Sequence, residues 1–149
     1  MVVALAQESG NTAQATNNYA QILQRYPDFL PALRNLVILS AANPNAGTAI
    51  YDLATKARQA LPRDPEIAKA LGILSYGRKD YTRAEQLLKE AVGERQQDGE
   101  ALAYLGLSQH QLKQNRNSQV NLTKSLEFNI SAPLAEQAKR ALAQSQSLK

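Results

Sequence analysis

No cysteine and no tryptophan occur anywhere in the 149 residues, and there are only two phenylalanines and one histidine. Without cysteine there can be no disulfide framework, thiolate zinc site or cysteine nucleophile, and the redox compartment stays open. The lone His110, in LSQHQLKQ, has no carboxylate within one helical turn. Metal sites need several convergent ligands, so His110 reads as a half-exposed helix residue available to a partner. The seven glycines are scattered and form no phosphate-cradling loop before a helix. Gly-x-Ser-x-Gly is missing, and Ser75, Ser108 and Ser118 fall within helical patterns, without the base and oxyanion hole that a nucleophile needs. Glu90 and Glu94, one turn apart, read as surface charge. The sequence therefore predicts no catalysis, metal or cofactor. Long apolar runs are also missing. The opening MVVALAQ is too short for a signal peptide or a membrane span, which predicts a soluble chain and leaves its compartment, cytoplasm or periplasm, unknown.

Net charge is +4, but it is spread thinly. Residues 1–64 carry 5 basic and 4 acidic groups, residues 65–98 carry 6 and 6, and residues 99–149 carry 6 and 3. Nucleic-acid affinity rests on a basic stripe making many phosphate contacts, and no such stripe exists. Asn121-Leu-Thr and Asn129-Ile-Ser match the glycosylation pattern, but short patterns recur by chance in an Asn-rich chain, and Asn121 falls inside an expected helix.

What the chain has in quantity is alanine, 24 residues, and glutamine, 15. This is helix-forming material rich in small packing residues and poor in strand-favouring types. The order of sizes repeats. Leu71-Gly72 and Leu105-Gly106 lie 34 apart, as do Ala84 and Ser118, Leu88 and Leu122, and Ala91 and Ser125. Ala57 precedes Ala91 by 34, whereas Pro27 to Pro62 and Leu36 to Leu71 are 35 apart, which places one extra residue in a loop near Asn43–Asn45.

Each period holds two helical segments. Asp64 is placed to cap a helix with Pro65 at its first position and Glu66 in its first turn. Ile67, Ala70, Leu71 and Leu74 recur at helical spacing, and Gly77 offers the left-handed conformation that ends a helix. Asp80 opens the next helix, whose stripe is Ala84, Leu87, Leu88 and Ala91. Asp98 opens the following unit. Gly72 and Ala84 are expected at the crossing of two helices, with Leu71 and Leu88 filling the space beside it.

Leu71-Gly72, Tyr76, Ala84-x3-Leu88-x2-Ala91 and the closing Pro27 and Pro62 resemble the tetratricopeptide repeat, a 34-residue helix–turn–helix unit. The resemblance implies an all-α fold, a right-handed superhelix of antiparallel helix pairs forming one domain over residues 1–149. Residues 1–29 would be a partial repeat, 30–64, 65–98 and 99–132 three full ones, and 133–149 a capping helix. In that helix Ser131 would cap, and Leu134, Ala138, Ala141 and Leu142 would face inward, opposite Glu136, Lys139 and Arg140. The aromatic that usually opens each first helix is Leu33, Ala68 and Leu102 here, and Gln109 stands in another aromatic position. The Ala-rich style resembles bacterial arrays.

The resemblance also implies function: a non-catalytic scaffold binding a peptide or amphipathic helix of another protein in its concave groove. Carried over by position, the groove residues are Arg34, Ile38, Lys69, Ile73, Tyr76, Leu107, His110 and Gln111. In a competing reading Ile38, Ile73 and Leu107 only pack between units. Ile38, Ile73 and Leu107 also occupy the places of the asparagines that clamp chaperone tails in some family members, so that clamp is not reproduced. Arg34 and Lys69 remain as a basic pair beside an apolar strip, with room for an acidic side chain of the partner. Two further expectations remain: a regulatory or targeting segment of a larger enzyme or secretion-assembly protein, and self-association through the uncapped amino-terminal unit.

Overall fold

The computed structural model describes residues 12–147, which form eight helices and no strand. The expectations that concern MVVALAQ, and what precedes the helix at Thr12, lie outside the described residues. The helices are α1 (Thr12–Arg25), α2 (Leu30–Ser40), α3 (Thr48–Ala60), α4 (Pro65–Gly77), α5 (Tyr81–Glu94), α6 (Gly99–Gln111), α7 (Asn115–Ser125) and α8 (Ala132–Ser147).

Every helix packs on its chain neighbour, and a second contact pattern sets the shape. Helices α2, α4, α6 and α8 each pack closely on the next of their series, whereas the backbones of α3, α5 and α7 stay more than 8 Å apart, and α3 reaches α5 through the Arg58–Glu90 ion pair. One layer is therefore closed up and the other splayed. A stack of pairs built this way curves, with α2, α4, α6 and α8 lining its concave side.

Burial follows the layers. In α4 the run Ala70–Ser75 is buried without a break, and in α6 so is Ala101–Gln109. A helix buried on most sides is one wedged between others. In α5 only Ala84, Leu87, Leu88 and Ala91 are buried, the single stripe that the spacing predicts for an outer helix. The core divides into three clusters in succession along the stack. They centre on Tyr19 and Leu36, then on Leu33, Leu71 and Leu74, then on Leu88, Leu105, Leu122 and Leu134.

The crossings are as tight as the small residues suggest. A Cβ added to Gly72 would sit 2.7 Å from Cγ of Leu88, and one added to Gly106 would sit 2.6 Å from Cγ of Leu122. The same contact thus recurs one repeat on. Ser118, where the pattern has alanine, is fully buried, and its hydroxyl donates to the Gly106 carbonyl at 2.8 Å.

Capping aspartates open α4, α5 and α6. Asp64 accepts from the Glu66 amide at 3.0 Å, Asp80 from Arg83 at 3.2 Å and Asp98 from Ala101 at 3.0 Å. Ser131 Oγ accepts from the Leu134 amide at 3.4 Å. Leu134, Ala138 and Ala141 are buried, so α8 lays its apolar stripe on α6 and α7 with its polar side outward.

Gly77 differs from expectation. It is not left-handed. That conformation falls on Lys79 (φ 65) and, 34 residues later, on Lys113 (φ 64). The Asp80 amide donates back to the Ser75 carbonyl and the Lys79 amide to Tyr76, the paired bonds that close a helix end around a left-handed residue. Gly77 serves a different need. Its Cα faces the Pro44 carbonyl so closely that an added Cβ would lie 2.6 Å from the carbonyl carbon. The longer loop 41–47 presses against α4 there, and only glycine leaves it room.

Candidate partner-binding groove

The chemistry available on the concave side begins with ion pairs between successive units. Arg34 of α2 donates from Nε to Oδ2 of Asp64 at 2.6 Å and from Nη2 to Oδ1 at 3.4 Å. One repeat on, Lys69 of α4 places Nζ 2.9 Å from Oδ2 of Asp98 and 2.9 Å from Oε1 of Glu100. In each case an inner-layer cation reaches the capping aspartate of the next inner helix. Asp64 and Asp98 thus cap a helix and tie two units together at once. Burial alone would lower the Lys69 pKa, but the hydrogen bonds it donates to Asp98 and Glu100 and their charges outweigh it, and the net shift is upward. Glu66 pairs with Arg95 across the same region.

Between these pairs lies a pocket of about 60 Å³ where α2, α4 and α6 meet. Ile38, Ala41, Ala70 and Ile73 give it an apolar floor and wall, and Glu66, Lys69 and Glu100 stand at its edge. A single buried water needs about 10–15 Å³, so the pocket has room for about four heavy atoms, the size of one branched aliphatic side chain.

The structure brings Ile38, Lys69 and Ile73 together at this pocket. Tyr76 lies farther along α4, half-buried, with its ring 5.3 Å from that of Tyr104 and 5.7 Å from that of Tyr81, both edge-on. Burial, then the Tyr81 charge, raises its phenol pKa. Tyr104 is pushed up to about 12 by burial, then by the Glu100 and Tyr76 charges. Leu107 is buried in the third core cluster, where it packs between units. Gln111 is exposed at the end of α6.

His110 is half-buried and turned to α8, with Nε2 2.9 Å from Oε1 of Gln144 and Nδ1 3.3 Å from Oγ of Ser145. Sequence alone leaves it available to a partner, whereas in the structure both ring nitrogens have neighbours on α8. Arg34 lies at a separate apolar hollow with Leu30, Pro31 and Leu61.

The acidic members of the groove, Glu66 and Glu100, escaped the sequence reading. They lie 34 positions apart in the first turns of α4 and α6, and that recurrence was the available signal. Among the described residues there is no grouping of His, Cys, Asp or Glu that could hold a metal, and no helix long and apolar enough to cross a membrane. The buried Ser75 and Ser108 hydroxyls donate to the Leu71 and Tyr104 carbonyls one turn back.

No family model and no curated relative matches the sequence. Solved structures do resemble it. A mutant of MamA superposes with a TM-score of 0.77 at 17% identity, over 98% of this chain and 83% of that one. A tetratricopeptide repeat protein from Parabacteroides merdae gives 0.64 at 17% identity, over 97% of this chain and 57% of that one. Both neighbours are tetratricopeptide repeat proteins, and in its fold the chain is an all-α solenoid of the tetratricopeptide repeat type.

Proposed function

We propose that this protein is a non-catalytic scaffold that docks an extended peptide or an amphipathic helix of a partner protein along the concave layer of α2, α4 and α6. The observation that supports this reading most is the pocket at the junction of the three helices. There Ile38 and Ile73 form apolar walls beside Lys69, with Tyr76 one turn farther along α4. Apolar anchor sites flanked by charged groups are how grooves of this kind select a peptide. The TPR-type fold of the neighbours fits a protein-interaction role, although fold alone does not fix function.

Two single substitutions test the reading. Ile38→Glu places a charge in the pocket, and Val120→Glu places one on α7, where Val120 is 61% exposed. Proteins captured by the wild-type chain should be lost from the first variant and retained by the second, with both variants equally helical by circular dichroism. Equal capture by both variants contradicts a groove role.

A further inference from the structure

We infer that the partner presents an aliphatic side chain next to a lysine or arginine, the aliphatic group filling the pocket between α2, α4 and α6 and the cation meeting Glu100. This rests on the groove reading above and adds the charge of the ligand. The cations nearest the pocket are committed. Lys69 has both Asp98 oxygens at 2.9 and 3.1 Å and Glu100 at 2.9 Å, so its three N–H groups have three carboxylate oxygens to meet. Arg34 is held by both oxygens of Asp64, and Arg95 by Glu66. A carboxylate entering here would have to displace one of these pairs.

The balance around the pocket leans the other way. Glu66, Asp98 and Glu100 face two cations, Lys69 and Arg95. The least covered carboxylate is Glu100, whose side chain is 40% exposed against 15% for Asp98 and 17% for Glu66. A carboxylate accepts about four hydrogen bonds, and one ammonium does not exhaust Glu100. A cation arriving beside it would add to the existing network without breaking it. The volume limits the neighbouring group to one of leucine or isoleucine size, since about 60 Å³ holds about four heavy atoms.

The test is selection from a random peptide phage library on the immobilised protein, followed by affinity measurement on synthetic peptides. Enriched peptides should carry Leu, Ile or Val within two residues of Lys or Arg. Replacing that basic residue by glutamate should weaken binding about tenfold. In the Glu100→Gln variant the same exchange should cost no more than about twofold to threefold. Enriched acidic peptides that still require Ile38 would overturn the charge assignment and leave the groove reading standing. Enrichment indifferent to Ile38→Glu would overturn the groove reading itself, and absence of any enrichment counts against both.

Discussion

The carboxylate of Asp98 accepts a hydrogen bond from the Ala101 amide at 3.0 Å and holds the Lys69 ammonium, one helix earlier in the inner layer, at 2.9 Å. A single side chain therefore fixes the start of α6 and its distance from α4. Asp80 makes only the first kind of bond among these contacts, to Arg83 at 3.2 Å on an exposed turn.

Removing the two aspartates should therefore differ in cost. Asp80→Ala loses a cap, worth about 1 kcal/mol. Asp98→Ala loses a cap and also leaves the part-buried Lys69 with one carboxylate fewer, so its cost should be about 2–3 kcal/mol. Urea denaturation of both variants measures the difference. Equal costs would mean that the Lys69–Asp98 contact contributes nothing.

Stability should fall steeply in alkaline solution, because the fold raises the pKa values of three groups, Lys69, Tyr76 and Tyr104. The Lys69 pKa is raised in the folded protein from its ordinary 10.5, so the folded state holds that proton more tightly than the unfolded one. Its contribution is fully present below 10.5 and is lost as pH rises through the higher folded value. Tyr104 is kept neutral by burial, with its pKa moved from 10 to about 12. The unfolded chain ionises first, and stability is lost between those two values. Tyr104→Phe should lessen the decline between pH 10 and about 12, and Lys69→Met should lessen it only above 10.5, leaving the loss between 10 and 10.5 unchanged. Absorbance titration at the phenolate band should show one of the six tyrosines ionising near 12.

The glycines divide into those that allow contact and those that do not. Gly72→Ala forces a methyl against Leu88 and Leu87 in a filled crossing and should destabilise by about 1–3 kcal/mol. Gly93, within the last turn of α5, has nothing within 4 Å of an added Cβ. Gly93→Ala should stabilise by about 0.5–1 kcal/mol through helix propensity. Thermal unfolding distinguishes the two. A neutral Gly72→Ala would contradict the close approach of α4 and α5.

Most of the helical frame was legible because it depends on local patterns. The stripe Ala84, Leu87, Leu88, Ala91 is the buried face of α5, and Asp64, Asp80 and Asp98 cap the helices they precede. The candidate groove residues could be named only by position in the repeat. Ile38, Lys69 and Ile73 do meet at one pocket, but position alone says nothing of what pairs with a charge. Arg34–Asp64 and Lys69–Asp98 join residues 30 and 29 positions apart. Such pairs arise only when successive units stack. The same holds for Gly77, whose requirement comes from a loop 33 residues earlier pressing on it, and for His110, whose neighbours Gln144 and Ser145 lie on α8.

Isoleucine methyl groups report on the groove directly. The six isoleucines include Ile38 and Ile73 at the pocket, and Ile22 on α1 and Ile50 on α3 away from it. Titrating the labelled protein with a peptide selected on it, and following methyl chemical shifts, locates the docking surface. The account predicts saturable shifts at Ile38 and Ile73 with Ile22 and Ile50 unmoved. Shifts confined to Ile22 and Ile50, with the pocket methyls unchanged, would contradict it.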